Sequence, residues 1–324
     1  MTSLESRIES VVATPADAAR SRSTASVLIE TTKQGISRLV TVTAMVGFVM
    51  VTAQRDAWNL SVLVPAAIGC GLGTWLSASG ANALNMWLEG GRDALMNRTQ
   101  DRPIPSGRIE PKKVAIFGTV LSLLGVLTLA LLCGIPAALV SLACVVSYVL
   151  VYTPMKTRTI WNTLIGTIPG ALPALIGTAA ASPRGAFESL TDPFGLALVL
   201  MMVIWQLPHF MAIAWMYRED YKRGGYRMLT GIDQTGRATG WVMAITAALF
   251  IPAVVALGLL APDTLGPVYM AVAGLVCLGF LAMAVVYLRS PTDRNAKRVF
   301  LASVMVLPLL YLLMVGEAAV RLLL

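Results

Sequence analysis

Histidine occurs once in these 324 residues, at position 209, and charged side chains make up only 13% of the chain. A single histidine excludes a metal centre built from histidines. The four cysteines, Cys70, Cys133, Cys144 and Cys277, lie inside apolar runs with no C-x-x-C pair, so they read as small hydrophobes, not as zinc ligands or a disulfide framework. Soluble chains carry about 25% charged residues; the shortfall here, beside 56% hydrophobic residues, excludes an ordinary water-soluble domain. The net charge of +8 does not point to nucleic acid, because basic loops on one side of a membrane give the same excess. No nucleic-acid partner is expected.

What the chain does have is long apolar runs. Bounded by charges, glycine or proline, they give about nine spans, at roughly 35–54, 59–88, 114–133, 135–153, 160–181, 194–217, 239–260, 266–287 and 299–316, each near the ~20 residues that cross a bilayer core as helix. The expected fold is therefore all-α, a polytopic bundle in a lipid bilayer. The first 34 residues mix both charge signs and contain neither the apolar core of a signal peptide nor the acid-poor composition of a transit peptide. They are expected to form a partly disordered cytoplasmic tail, with 35–324 as a single transmembrane domain. Placing the tail and every second loop (89–113, 154–159, 218–238, 288–298) on one side leaves only Arg55, Arg184 and Arg321 of the 25 lysines and arginines opposite. That asymmetry predicts a cytoplasmic N-terminus and an outside C-terminus.

Two loops on the basic side, 89–113 and 218–238, are long and carry both signs of charge. They follow the second and sixth spans, which suggests a pseudo-repeat with one charged site in each half. At the first, Asn85, Glu89 and Asp93 are spaced by four. On a continuing helix each step overshoots a turn by about 40°, giving one stripe of oxygen ligands about 12 Å long. Such a set suits Mg²⁺, which binds one or two carboxylates and completes its shell with water and phosphate oxygens. Arg98 and Arg102, again four apart, would neutralise further phosphate charge. The same spacing also suits a helix end emerging into water with local ion pairs.

At the second loop, Gln206, His209 and Asp220 fall on one face of a helix continued past the sixth span, Asp220 lying three turns and about 20° beyond His209. Polar residues at membrane depth usually face an interior cavity, although a lone histidine there can equally hydrogen-bond a neighbouring helix. Pro208 would loosen the helix at that level. A third set, Tyr152-Thr153-Pro154-Met155-Lys156 to Asn162, precedes a span rich in Gly166, Pro169, Gly170, Pro173 and Gly177. Lys156 and Arg158 are either topology charges or counter-charges for an anion held between the two acidic sites.

The string Asn85-x3-Glu89-x3-Asp93-x2-Met96-x-Arg98-Thr99-x2-Arg102-Pro103-x-Pro105-x-Gly107-Arg108 resembles the first aspartate-rich motif of the intramembrane aromatic prenyltransferases, the UbiA superfamily. The stretch from Tyr152-Thr153-x2-Lys156 to Pro173, and above all Trp205-Gln206-x-Pro208-His209-Phe210 with Asp220-Tyr221, is similar to the haem O synthase branch of that superfamily. The motifs run from about residue 80 to 230, and Phe300 to Leu309 resembles the family's last span. Two departures stand out. Glu89 and Gly91 occupy positions where the family usually has acidic residues, aspartate in the first case, and Thr230 replaces a proline.

The resemblance implies a UbiA-like helical bundle with a cytoplasmic-side cavity, in a bacterial plasma membrane. It implies farnesyl transfer from farnesyl diphosphate to a vinyl group of haem B, with Mg²⁺ as cofactor and haem as substrate. Asn85, Glu89, Asp93 and Asp220 would be the catalytic and metal-binding residues; Arg98, Arg102, Lys156, Gln206, His209 and Tyr221 would bind substrate. Haem A synthase or terminal oxidase assembly proteins are the protein partners it suggests. The rival readings are a prenyltransferase acting on a quinone precursor, a transporter, and a haem chaperone without catalysis.

Overall fold

The computed structural model describes residues 23–55, 57–182 and 187–323, and every regular element among them is helical. In lipid the backbone must satisfy its own hydrogen bonds, so apolar runs of this length have helix as their only unclosed solution. Among the described residues nine helices are long and apolar enough to cross a membrane. They are α2 (Gln34–Ala53), α3 (Leu60–Asp93), α4 (Pro111–Leu132), α5 (Ile135–Met155), α6 (Asn162–Ala181), α7 (Pro193–Met216, with a 3-10 turn at Phe187–Leu190 before it), α10 (Arg237–Leu260), α11 (Pro267–Arg289) and α12 (Asp293–Leu323). Three short helices lie between or before them: α1 (Thr24–Thr31), α8 (Arg218–Arg223) and α9 (Leu229–Ile232).

The spans agree with the hydropathy pattern in number and order, and differ where polar residues continue a helix beyond its apolar run. α3 runs five residues past the expected limit of 88, which keeps Glu89 and Asp93 on the same helix as Asn85. Part of the segment expected to be disordered is also helical. Residues 1–22 lie outside the described residues, whereas Thr24–Thr31 is a helix capped by the Ser23 side chain. Lys33 then adopts left-handed backbone (φ 48°, ψ 59°) to turn the chain into α2. Tertiary contact supplies what local sequence lacked: Val27 is buried with Ala83, Ile109 and Val114, and Arg108 forms a two-pronged ion pair with Glu30 at 2.7 Å.

Small residues set the closest approach. α3 and α4 meet backbone to backbone at Gly80 and Gly118, where a Cβ on Gly80 would lie 2.5 Å from the Gly118 carbonyl oxygen, the device by which helices pack in the absence of a hydrophobic drive between them. Two buried clusters result. One joins α2, α6, α7 and α10–α12 through residues such as Met50, Leu198, Phe250 and Phe280. The other joins α2–α6 through Phe48, Cys70, Leu129 and Ile176. Between them lies a cavity of about 510 Å³, walled by α2, α3, α5, α6, α7 and α12.

Candidate active site

The polar end of the cavity is built on α3. Asn85 and Asp93 are fully buried and Glu89 is 5% exposed, so the stripe does not emerge into water. Each of its side chains meets a cation from a different segment. Lys33 Nζ donates to Asn85 Oδ1 at 2.7 Å, Lys156 Nζ to Glu89 Oε1 at 2.6 Å, and Arg102 Nη1 to both oxygens of Asp93 at 2.9 and 2.7 Å. The reading of a solvated helix end with local pairs therefore fails, since the partners come from positions 33, 102 and 156.

Local structure explains each placement. The chain after α3 folds back, with the Thr99 hydroxyl donating to the Asp93 carbonyl at 2.8 Å, and this brings Arg102 over Asp93. α5 loosens to a π-helix over Ser147–Tyr152 before ending at Met155. Such bulges change the helical register and favour functional sites. Here Tyr148 and Tyr152 stack at 5.8 Å on the cavity wall, and Lys156 lies 4.6 Å from the Tyr152 ring centre. Thr153 receives the Asn85 amide at 2.9 Å and itself donates to the Tyr148 carbonyl, locking α3 to α5.

Electrostatics follow from the crowding of charge. Burial works against the Lys156 ammonium, but the Glu89 carboxylate together with the hydroxyls of Tyr152, Tyr148 and Tyr226 outweighs it and holds the lysine well above its usual value. Among the described residues the Lys33 ammonium has only an amide oxygen as its direct partner. Burial, with repulsion from Arg102 and Lys156, brings it down to about 7 against the pull of Glu89 and Asp93. Four cations, Lys33, Arg98, Arg102 and Lys156, line the cavity against two carboxylates. That surplus suits a multiply charged anion.

The other end is aromatic and neutral. Gln206 spans from α7 to α6, donating to Met202 O at 2.9 Å and Thr167 O at 3.2 Å. Gly170 admits it, because a Cβ there would collide with Gln206 Oε1. His209 is half-buried between Trp205 and Phe300, both with ring centres 5.2 Å away, and its Nδ1 is 2.8 Å from the Ser303 hydroxyl. The histidine thus makes the interhelical bond that a purely structural role requires, yet it also lines the cavity with Trp205, Gln206, Phe210 and Ile213.

One expected placement differs. The projection of Asp220 onto the Gln206 and His209 face assumes a continuous helix, but α7 ends at Met216, Tyr217 leaves helical geometry (φ −112°, ψ 23°), and α8 starts at Arg218. Asp220 is not among the cavity-lining residues. Its carboxylate accepts the backbone N–H groups of Asn97 and Arg98, both at 3.2 Å, and pairs with Arg223. Burial raises its carboxyl, but Arg223 and those two N–H groups more than offset this and hold it below the usual carboxylate range. In this structure it tethers the loop that carries Arg98. Tyr221 does line the cavity, beneath the Arg98 guanidinium, whose Nη2 lies 3.4 Å from the tyrosine hydroxyl.

Lys33, Tyr148 and Ser303 were not anticipated as site residues. A lysine at the start of a span reads as a topology charge, and nothing in the sequence says that a left-handed turn aims it inward. Among the described residues no three His, Cys, Asp or Glu side chains form a metal cluster. The donors fit Mg²⁺ nonetheless: Asn85, Glu89 and Asp93 offer hard oxygens, a carboxylate has about four lone-pair positions, and Mg²⁺ ordinarily relies on substrate phosphates for the rest of its shell.

The sequence match is decisive for the family. Residues 40–308 match the model of the UbiA prenyltransferase family. The chain belongs to that family. It is 38% identical over 291 residues to a protoheme IX farnesyltransferase of Solibacter usitatus, covering 88% of this chain and 96% of that one. It is 40% identical over 280 residues to the protein of the same name from Salinibacter ruber, covering 85% and 93%. Among solved structures, a UbiA homologue from Aeropyrum pernix K1 superposes with a TM-score of 0.63 at 16% identity, covering 84% of this chain and 98% of the other. A UbiA homologue from Archaeoglobus fulgidus bound to GPP and Mg²⁺ gives a TM-score of 0.57 at 13% identity, covering 90% and 100%. The chain is an integral membrane prenyltransferase with the UbiA fold.

Proposed function

We propose that this chain transfers the farnesyl group of farnesyl diphosphate to a vinyl group of haem B, giving haem O and pyrophosphate. The observation that carries the reading is one cavity joining a cation-lined end to an aromatic end with a single histidine, in a chain whose relatives bear the name protoheme IX farnesyltransferase over nearly their whole length.

Lys33, Arg98, Arg102 and Lys156 bind the diphosphate and stabilise negative charge that grows on it as the C1–O bond breaks. Asn85, Glu89 and Asp93 would hold Mg²⁺, which when bound would supply further charge neutralisation to the leaving group. The farnesyl chain lies along the apolar wall, where water is excluded from the allylic cation. Tyr148 and Tyr152 present aromatic rings to that cation. The terminal vinyl carbon of haem attacks C1; water adds to the carbon next to the ring and loses a proton, which leaves the hydroxyethylfarnesyl group. Gln206, His209 and Tyr221 bind the acceptor side, and His209 meets the porphyrin. The one-sided excess of basic residues supports reading the polar end of the cavity, and the N-terminus, as facing the cytoplasm, with a bacterial plasma membrane as the proposed location.

The test is to incubate the purified protein in detergent with haem B, farnesyl diphosphate and Mg²⁺ and to weigh the extracted haem. A gain of farnesyl plus water supports the reading. Unchanged haem with a folded protein overturns it, and prenylation of 4-hydroxybenzoate instead would move the chain to the quinone-precursor members of the family.

A further inference from the structure

Ser303, on α12, touches both aromatic residues of the acceptor end. Its backbone carbonyl accepts the Trp205 indole N–H at 3.0 Å, and its hydroxyl lies 2.8 Å from His209 Nδ1. A hydroxyl has one proton to donate. Ser303 spends it on the Phe300 carbonyl one turn back, at 2.6 Å, a distance that two facing lone pairs would not tolerate. The contact with His209 must then run the other way, with Nδ1–H as donor and the serine oxygen as acceptor.

In a neutral imidazole with its proton on Nδ1, Nε2 carries the lone pair. Nε2 makes no hydrogen bond among the described residues, and His209 lines the cavity. We propose that Ser303 is a positioning residue: it fixes His209 in the Nδ1–H tautomer and so presents the Nε2 lone pair to the metal of a bound metalloporphyrin. Metal-bound histidines are commonly held by an acceptor on their other nitrogen in this way. The proposal rests on the haem reading above and adds to it the atom that binds the metal and the residue that keeps that atom deprotonated.

The experiment compares zinc protoporphyrin IX with metal-free protoporphyrin IX, two rings with the same vinyl groups of which only one offers a metal. Binding to the purified protein in detergent is followed by the Soret shift, with Ser303→Ala, His209→Ala and a melting curve for each variant. The wild type is expected to prefer the zinc porphyrin at least tenfold, and His209→Ala to lose that preference, with added imidazole restoring the ligated spectrum. Ser303→Ala keeps the backbone anchor of Trp205, and is expected to reduce the preference about fivefold, the weight of one neutral hydrogen bond, while binding of the metal-free ring stays within twofold.

An equal loss of both porphyrins in Ser303→Ala would mean that the serine only shapes the cavity, and would overturn the proposal, as would an unchanged zinc preference. Equal wild-type binding of the two rings, with haem still farnesylated, would sink metal ligation and leave the haem reading standing. Binding of neither ring together with no haem product would overturn both.

Discussion

Lys33 Nζ lies 2.7 Å from Asn85 Oδ1, tying the turn before the first span to the oxygen stripe on the second. The left-handed backbone at Lys33 is what turns the chain so that this residue meets the cavity. Replacing it with methionine keeps the stem and removes one of the four cations. A charge-assisted contact is worth about 1.5–3 kcal/mol, so Lys33→Met should lower kcat/KM for farnesyl diphosphate about ten- to hundredfold in steady-state assays. Acceptor KM should stay within twofold; an unchanged kcat/KM would remove Lys33 from the diphosphate site.

Asp93→Asn tests the metal reading. Arg102 can still donate to the amide oxygen, so the fold should survive with a melting temperature close to the wild type. Turnover should fall by at least about a hundredfold, the usual cost of losing a preorganised electrostatic group. An active Asp93→Asn enzyme would contradict the assignment.

Glu89 and Lys156 are a buried pair, with side chains 7% and 16% exposed. Removing one partner strands the other charge, at a cost of about 3–5 kcal/mol. Glu89→Gln should therefore lower the detergent melting temperature sharply, and adding Lys156→Met should recover most of the loss although neither variant is active. Additive destabilisation in the double variant would show that the two residues do not depend on each other.

Asp220 separates a tether from a ligand. Because its carboxylate holds the Asn97 and Arg98 backbone, Asp220→Ala should raise KM for farnesyl diphosphate severalfold through a misplaced Arg98 and leave the Mg²⁺ concentration for half-maximal activity unchanged. A large shift in that Mg²⁺ requirement would return Asp220 to the metal site.

Gly170 is where space decides the acceptor end, since a Cβ would occupy the position of Gln206 Oε1. Gly170→Ala should raise KM for haem, and Gln206→Ser in the same protein should relieve the collision and recover part of that loss. Failure of the second change to recover anything would place the defect in helix packing.

Most of the architecture was legible in the sequence. Apolar runs set the number and order of the spans because an isolated backbone in lipid has no partner but itself, and the Asn85, Glu89, Asp93 spacing needed only a helix to become a stripe. The same reasoning failed at Asp220, where an eleven-residue projection from His209 crossed a break at Tyr217 that nothing local announces. It also left Lys33 in a partly disordered tail, because the side chain it meets lies 52 positions away. What the sequence by itself determined was the membrane bundle and the placement of its acidic stripe on one helix, since both depend on short-range periodicity. Which cations answer that stripe, which way Asp220 turns and which nitrogen of His209 faces Ser303 were decided only by tertiary structure, because each depends on groups brought together from separate segments.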